Sequence, residues 1–241
     1  MRIAVISDIH AALAPFRQAL SAARSEGFDQ LILLGDLFTY GVDPAGCAEL
    51  AAEAVERDRA VLIGGNHDQL YVDIATGGSD YVDGLPDWIR ESVDWTWERL
   101  GRSWPRQLDW QEEWSRDGLL LAHANPFGYG DWTYLSDEPK LAQAAEILEN
   151  RGYRWGVFGH LHRERSYCSP SGVEVHVVGS TGQPRDRDNP EPQWAMIDLH
   201  DGAMSLTRNK IPFDRTAHRF AIAAEPGLSD HTKEMLCRYF S

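Results

Sequence analysis

Five short, mainly apolar runs recur along the chain, and each one ends in a turn that carries aspartate, histidine or asparagine. The runs span residues 3–7, 31–34, 60–63, 119–122 and 155–158. Apolar runs of this length, bounded by glycine or polar residues, predict short buried strands. The polar residues that follow are therefore expected to gather at the carboxyl ends of the strands, where α/β sheets carry their ligand sites.

Amphipathic helices are predicted between the first three strands. Pro15 lies near the start of the first helical pattern and Gly27 ends it, and these are preferred places for the two residue types. Asp43 and Pro44 open the second helix as N-cap and first-turn proline. The order strand, helix, strand predicts parallel strands joined by helices.

The chain changes character between residues 70 and 117, where six of its nine tryptophans lie. We expect this segment to be mostly helical, with one helix beginning after Pro86. Its apolar face would carry Ile89 and Trp97. Trp88 and Trp95 would project from roughly the other side. There they are expected either to be partly exposed or covered by a loop, or to border the cleft or a subunit partner. The six tryptophans are Trp88, Trp95, Trp97, Trp104, Trp110 and Trp114.

The remainder of the chain is predicted to contain a helix followed by mostly β structure. Ser136 or Asp137 is expected to cap a helix that Gly152 helps to end. Two apolar runs flank Asp201 and Gly202, and this Asp-Gly pair predicts a hairpin turn. Because no internal repeat or low-complexity linker appears, we expect a single domain over residues 1–241.

Charge and cysteine content narrow the classes of partner. The formal net charge of −14 disfavours broad attraction to nucleic-acid polymers and to anionic membranes. The three cysteines form no C-x-x-C pair, and no apolar run approaches a membrane-spanning length, so we expect a cytoplasmic protein. Only three of the 23 basic residues are lysines. An anion site in this chain would therefore be built from arginine, which suits bidentate phosphate contacts.

The polar turns supply seven possible metal donors, all of them nitrogen or oxygen. Seven donors exceed the needs of one ion, and a carboxylate that bridges two divalent cations would hold them about 3.5 to 4 Å apart. Mixed imidazole and carboxylate donors suit Mn, Fe, Zn, Co or Ni better than Mg or Ca. Each residue alone could be a loop cap or a turn residue, but five such signals together predict a site. The donors are Asp8, His10, Asp36, Asn66, His123, His160 and His162.

These motifs resemble those of the calcineurin-like metallophosphoesterase family. The family's motifs D-x-H, G-D, G-N-H-D/E, H and G-H-x-H appear in this order at residues 8–10, 35–36, 65–68, 123 and 159–162. A narrower likeness is to the small bacterial and archaeal phosphodiesterases of the family, because G-D-x-x-x-Y-G occurs at 35–41 and G-S-x-G-Q-P-R at 179–185. The resemblance implies an α/β fold, the four-layer αββα sandwich.

The resemblance also implies a role for each residue of the site. One metal ion would be held by Asp8, His10, Asp36 and His162, and the other by Asp36, Asn66, His123 and His160. Asp36 would then bridge the two ions. His67 is left outside both sets and would protonate the leaving oxygen as general acid, with Asp68 helping to orient it. The attacking group would be a hydroxide that bridges the metals.

The leading hypothesis from the sequence is a dimetal phosphodiesterase that acts on a small phosphodiester. Arg185, which ends the late motif, and Tyr40 are expected to bind the substrate. The enzymatic alternatives are a protein serine/threonine phosphatase and a dinucleoside-polyphosphate hydrolase. The phosphatase is disfavoured because Thr39 and Tyr40 stand where those relatives carry an acidic residue and an arginine. An alternative of another class is a non-catalytic protein-binding scaffold of the same fold.

Overall fold

Successive residues of the first strand face two different hydrophobic cores. In the computed structural model, which describes residues 1–78, 80–103 and 108–240, Ile3 and Val5 pack between two β-sheets. Ala4 and Ile6 pack against helices on the outer face of one sheet. Both faces of the strand are buried, which explains why its sequence is a continuous apolar run and does not alternate with polar residues.

The described residues contain eleven strands in two sheets. The strands are β1 (Arg2–Ile6), β2 (Gln30–Leu34), β3 (Val61–Ile63), β4 (Trp110–Gln111), β5 (Glu113–Arg116), β6 (Leu119–Ala122), β7 (Trp155–Phe158), β8 (Arg165–Cys168), β9 (Glu174–Val177), β10 (Gln193–His200) and β11 (Ala203–Lys210). Their orders are β11-β10-β1-β2-β3-β4 and β5-β6-β7-β9-β8. Strands β1 to β4 are parallel, as are β6, β7 and β9. The predicted hairpin at Asp201 and Gly202 joins β10 to β11.

Helices cover the outer faces of both sheets. They are α1 (Leu13–Glu26), α2 (Pro44–Asp58), α3 (Asn66–Thr76), α4 (Asp80–Asp83), α5 (Asp87–Arg99), α6 (Glu138–Asn150), α7 (Arg215–Ala224) and α8 (Asp230–Cys237), with a final 3-10 helix (Arg238–Phe240). Helices α1 and α2 pack on the six-stranded sheet and α6 on the five-stranded sheet. The layers are therefore helix, sheet, sheet, helix, as the resemblance implied. None of the helices in the described ranges combines the length and the hydrophobicity needed to cross a bilayer.

The tryptophan-rich segment is helical only in its first part. Trp110 lies in β4 and Trp114 in β5, so the prediction of a mostly helical segment is wrong beyond α5. Trp104 lies outside the described residues. Strand β4 has only two residues and is defined by its pairing with β3. Such a long-range contact is not encoded by a local pattern of apolar residues.

Tryptophans on both faces of helix α5 pack against neighbouring hydrophobic clusters. Trp97 packs against the core beneath the six-stranded sheet, as predicted. Trp95 is only 6% exposed and packs against α7 and α8, so the expectation of a partly exposed or loop-covered residue is wrong. Trp88 stacks on Tyr40 with 5.8 Å between the ring centroids. The second face of α5 therefore borders the loop after β2, which carries predicted site residues.

Candidate metal centre

Strand ends bring the predicted donors together. All seven are buried, and each follows the carboxyl end of a strand. Asp8 and His10 follow β1, Asp36 follows β2, Asn66 follows β3, His123 follows β6, and His160 and His162 follow β7. The two sheets therefore contribute donors to one site from the loops at their carboxyl edges.

Five of the seven donors have a left-handed backbone conformation. The φ angles of Asp8, His10, Asp36, His160 and His162 are 53°, 47°, 55°, 65° and 60°. This region costs an L-residue on the order of 1 kcal/mol or more, so the surrounding structure must hold these turns in place. Residues in such strained conformations cluster at functional sites. The concentration of five of them here supports a functional role for the cluster.

Two glycines allow the ligand loops to approach one another. Gly35 has a φ of 85°, and a Cβ at this position would collide with the imidazole of His123. A Cβ at Gly65 would collide with the carboxylate of Asp36. Only glycine leaves room at these two places. The glycines of the G-D and G-N-H-D motifs are thus explained by packing around the donors.

The donors form two groups that share Asp36. One group is Asp8, His10, Asp36 and His162, and the other is Asp36, His123 and His160. Within each group the donor atoms all lie within 4.8 Å of one another. Oδ2 of Asp36 lies 3.6 Å from Nε2 of His10 and 3.4 Å from Nε2 of His123. Two groups of possible ligands that share one carboxylate are the arrangement that a dinuclear centre requires.

Backbone carbonyl groups determine which nitrogen of each imidazole faces the cluster. A carbonyl oxygen can only accept a hydrogen bond, so the ring nitrogen beside it must donate and the other nitrogen of a neutral ring carries the lone pair. Three rings use Nδ1 as the donor and one uses Nε2. The pairs are His10 with Phe38 at 3.1 Å, His123 with Leu34 at 2.8 Å, His162 with Gln183 at 2.7 Å and, through Nε2, His160 with Trp132 at 2.9 Å.

The lone pairs of two imidazoles face each other in the first group. Nε2 of His10 lies 3.0 Å from Nε2 of His162, and both rings donate through Nδ1 to backbone carbonyls. Two lone pairs at this distance repel each other unless a proton or a cation lies beside both. Burial lowers the pKa of His162, and the positive charge of Arg185 lowers it further, so a proton is disfavoured. A metal ion bound here would satisfy both nitrogens.

Buried atoms that need a partner also occur in the second group and at Asn66, which directly precedes His67 in the sequence. Oδ1 of Asn66 and Nε2 of His123 have no hydrogen-bond partner among the described residues. Leaving such an atom unpaired costs about 1–3 kcal/mol. Burial alone would lower the pKa of His123, but the charge and the hydrogen bond of Asp36, together with Asp8 and the Leu34 carbonyl, outweigh burial and raise the pKa to about 10. Electrostatics thus favour a positive charge at this position. The residues of both groups fit divalent cations.

Comparison with known proteins identifies the family. The sequence model of the calcineurin-like phosphoesterases matches residues 1–164, and this range includes all seven donors. The chain belongs to the calcineurin-like phosphoesterase family. It is therefore a metal-dependent phosphoric ester hydrolase with Asp and His groups that can hold metal.

Relatives align with nearly the whole chain. An uncharacterized protein of Methanocaldococcus jannaschii is 25% identical over 225 residues, which cover 86% of each chain. The crystal structure of a metallophosphoesterase from Sphaerobacter thermophilus covers 99% of this chain and 100% of its own, with a TM-score of 0.71 and 21% identity. The crystal structure of a hypothetical protein from Pyrococcus horikoshii covers 98% of this chain and 97% of its own, with a TM-score of 0.80 and 19% identity. These structures confirm the fold beyond residue 164.

In this phosphoesterase His67 lies beside the metal cluster but outside both donor groups. Its ring centroid is 5.2 Å from that of His10 and 4.6 Å from that of Tyr40, with edge-to-face geometry in both cases. Nδ1 of His67 is buried and has no hydrogen-bond partner among the described residues. Burial lowers its pKa to about 4, although the charge of Asp36 acts in the opposite direction. The imidazole is therefore held next to the cluster mainly by aromatic contacts.

Asp68 does not orient His67 as the sequence suggested. Its carboxylate accepts hydrogen bonds from the backbone N–H groups of Asp36 at 2.7 Å, Leu37 at 3.0 Å and Gly65 at 3.0 Å. Burial and the charge of Asp36 raise the pKa of Asp68 to about 7, while the N–H groups of Gly65 and Leu37 act in the opposite direction. Asp68 thus joins two ligand loops through their backbone. The correction arises because adjacent residues at a helix start point in different directions.

Arg185 lies next to the cluster, on the side of His162. Its backbone N–H donates to the carbonyl of His162 at 3.2 Å. The guanidinium donates twice to Oε1 of Gln183, at 3.1 and 2.7 Å, and its Cζ lies 5.1 Å from the centroid of the Tyr239 ring. These contacts fix the plane of the guanidinium. Tyr40, the other predicted substrate residue, is only 6% exposed and packs on His10 with 4.9 Å between the centroids.

Three residues of the site were not singled out from the sequence. Oγ of Ser7 donates to Oδ2 of Asp8 at 2.7 Å and orients that carboxylate. The backbone carbonyl of Trp132 accepts from His160, and the ring of Tyr134 stacks on His160 at 4.1 Å. Ser7 directly precedes the D-x-H motif and could have been found there. Trp132 and Tyr134 lie in a loop whose course carries no local signal.

Proposed function

We propose that this phosphoesterase is a phosphodiesterase that uses two divalent metal ions to hydrolyse a small phosphodiester. The observation that carries the proposal is that aromatic rings contact both donor groups. Tyr40 packs on His10 of one group, and Tyr134 stacks on His160 of the other. A diester has organic groups on two of its oxygens, and an aromatic wall beside each donor group would accommodate both. A monoester would use only one.

The residues of the two donor groups would hold the ions. Bound divalent ions would supply Lewis-acid chemistry, which activates water and neutralises the charge of the phosphoryl group. Donors of mixed nitrogen and oxygen character, without sulfur, suit Mn, Fe, Zn, Co or Ni. In this proposal Asp8, His10 and His162 hold one ion, Asn66, His123 and His160 hold the other, and Asp36 is shared by both.

His67 would donate a proton to the leaving oxygen as its bond to phosphorus breaks. Its position beside the cluster and its unpaired Nδ1 support this role. Without substrate, burial disfavours the protonated imidazole. A bound phosphodiester anion would favour it, because an opposite charge nearby offsets the cost of burial. Tyr40, which packs edge-on against the ring, would keep His67 directed at the leaving group.

Arg185 would bind the phosphoryl group on the side of His162. A guanidinium offers paired donors to two oxygens of a phosphate. The hydrogen bonds to Gln183 and the contact with Tyr239 hold it in one orientation before substrate arrives, so less side-chain entropy would be lost on binding. Arg185 would therefore contribute mainly to substrate affinity.

The proposal is tested by removing all metal from the purified chain and reloading Mn, Fe, Zn, Co or Ni one at a time. Hydrolysis of bis(p-nitrophenyl) phosphate, p-nitrophenyl phosphate and a phosphoserine peptide is then compared. We expect no hydrolysis by the metal-free chain and the highest kcat/KM for the diester. A chain with Asp36→Asn, purified in parallel, excludes a contaminating enzyme.

Three outcomes would overturn this proposal. If the chain still hydrolyses the diester when metal analysis finds no metal, the reaction does not depend on metal. A large preference for the phosphoserine peptide would instead favour the protein phosphatase. Absence of hydrolysis of all three substrates with every metal would favour the non-catalytic scaffold.

A further inference from the structure

A cavity of about 560 Å³ lies beside the metal cluster, and five of the ten residues that line it are arginines. This is a concentration of positive charge in a chain whose net charge is −14 and which has 23 lysine and arginine residues in all. Asp186 is the one acidic residue among those that line it. The arginines are Arg163, Arg185, Arg187, Arg215 and Arg238.

Four of these guanidinium groups have no carboxylate partner within the described parts of the chain. Arg238 pairs with Glu234 at 2.7 Å, but none of the carboxylate oxygens that the structure describes lies within 4.0 Å of the guanidinium nitrogens of the other four. Outside the cavity, nine of the fourteen described arginines lie within 4.0 Å of a carboxylate; Arg151, for example, lies 2.6 Å from Glu113. Like charges grouped around one cavity repel each other, and a bound anion would relieve that repulsion.

The cavity is connected to the metal cluster through Arg185 and Tyr239. Both residues line it, and the backbone of Arg185 is hydrogen-bonded to that of His162. The Tyr239 ring lies 6.4 Å from the Tyr40 ring, which packs against His67. These contacts place the cavity next to the residues that surround His162 and His67.

A second cavity beside the cluster has the opposite charge character. It has a volume of about 540 Å³ and borders His123 on the side of the second donor group. Three acidic residues and one arginine line it, and that arginine is the one paired with Glu113. The acidic residues are Glu112, Glu113 and Asp131. A substrate with a negative group at one end would be oriented with that end toward the arginines.

We propose that the arginine cavity binds a second phosphate group of the substrate. The substrate class is then a small diester in which one of the two organic groups carries a terminal phosphate. A terminal phosphate has up to two negative charges and three oxygens for charge-assisted hydrogen bonds, which a group of guanidiniums without carboxylate partners can satisfy. This inference rests on the proposed function and gives that site a preferred substrate and a fixed orientation.

The first test measures anion binding without catalysis. Inorganic pyrophosphate is titrated calorimetrically into the full-length chain after removal of metal, so that no metal ion can hold the anion. The test variant carries Arg187→Gln with Arg215→Gln, and the matched control carries Arg57→Gln with Arg116→Gln, at side chains 62% and 58% exposed. We expect binding at least about tenfold weaker in the test variant and unchanged in the control. Equal affinity in both variants, or no binding to the unsubstituted chain, would overturn the proposal.

The second test compares two diesters that differ only in a terminal phosphate. Thymidine 5′-(p-nitrophenyl phosphate) is used with and without a 3′-phosphate, on the metal-loaded chain. We expect kcat/KM to favour the 3′-phosphorylated compound by roughly tenfold, mainly through KM, and the ratio to fall toward one in the Arg187 and Arg215 double variant. A ratio near one in the unsubstituted chain, or an unchanged ratio in the variant, would contradict the second phosphate site.

The two proposals fail separately. A chain that hydrolyses neither diester but binds pyrophosphate through Arg187 and Arg215 would contradict the phosphodiesterase and support the anion site. A chain that hydrolyses both diesters equally and binds no pyrophosphate would support the phosphodiesterase and contradict the anion site.

Discussion

The backbone N–H of His67 donates to Oδ1 of Asp36 at 2.9 Å. The other oxygen of the same carboxylate lies between His10 and His123, at 3.6 and 3.4 Å. Asp36 therefore uses one oxygen to position the loop of the proposed general acid and the other to link the two donor groups. A single side chain would therefore couple the proposed proton donation to metal binding. Variants of Asp36 and His67 test the two roles separately.

Asp36→Asn is expected to remove metal from the site. The amide has the same shape as the carboxylate but carries no charge, so it cannot balance two cations. Substitution of a residue that only hydrogen-bonds to a metal ligand typically lowers metal affinity by about 10–100-fold. Asp36 is itself a predicted ligand, so we expect its substitution to lower metal affinity by more than about 100-fold. Metal analysis after dialysis measures it. Asp198→Asn, at an exposed pair with Arg2, is the control, and full metal content in the Asp36 variant would contradict the shared-ligand assignment.

His67→Ala is expected to retain its metal and lose turnover. General acid catalysis typically increases the reaction rate by about 10²–10⁴-fold, and a poor leaving group depends on it more than a good one. The loss in kcat should therefore be larger for an alkyl diester than for a nitrophenyl diester, whose leaving group needs little protonation. His200→Ala, at a side chain 82% exposed, serves as the control. Equal losses for the two leaving groups would argue against proton donation by His67.

Arg185→Ala is expected to raise KM for the diester by about tenfold or more, with metal content unchanged, because one charged hydrogen-bonding group is lost. Arg185→Lys should recover only part of this, since an ammonium cannot keep both hydrogen bonds to Gln183 and the contact with Tyr239. Steady-state kinetics on bis(p-nitrophenyl) phosphate measure both variants. A lysine variant with the original KM would show that charge alone is sufficient.

Trp95→Ala is expected to lower the free energy of unfolding by about 3–5 kcal/mol, because it leaves a large cavity in the buried cluster under α7 and α8. Phe220→Ala provides the comparison. Phe220 is 74% exposed, so its removal should change the free energy of unfolding by less than about 0.5 kcal/mol. Denaturant unfolding of both variants measures the difference. Similar losses in the two variants would mean that α7 and α8 do not cover Trp95 in solution.

His218 is expected to make the protein less stable in weak acid. Burial against Phe213 and Phe240 lowers its pKa from 6.5 to about 4. Above pH 6.5 the imidazole is neutral in both states. As the pH falls below 6.5 the unfolded chain binds the proton first, so the free energy of unfolding decreases until the pH reaches the folded pKa. Between pH 6.5 and 5 the loss is about 2 kcal/mol.

His218→Phe isolates this contribution from other titrating groups. The phenyl ring can occupy the same aromatic cluster and cannot bind a proton. Denaturant unfolding at pH 7.5 and pH 5 should show that the variant loses about 2 kcal/mol less than the unsubstituted chain on acidification. An identical loss in both proteins would mean that His218 is protonated as easily in the folded state as in the unfolded state.

The sequence alone determined the strands that lead into the ligand turns, the turns themselves and the cap of the second helix. Five apolar runs predicted β1, β2, β3, β6 and β7, and Asp43 accepts the predicted capping hydrogen bond from Gly46 at 2.9 Å. These features depend on residues within a few positions of one another. Each metal motif is also contiguous, so the seven donors could be named before any distance between them was known.

Only the tertiary structure decided how the parts meet. The carbonyl that selects the tautomer of His123 belongs to Leu34. Asp68 accepts hydrogen bonds from backbone groups in the loop after β2, and His67 is held by aromatic contacts. The arginine cavity combines residues from 163 to 239. Contacts between segments that are distant in sequence depend on the tertiary packing of the whole chain. A local pattern of apolar and polar residues does not encode that packing.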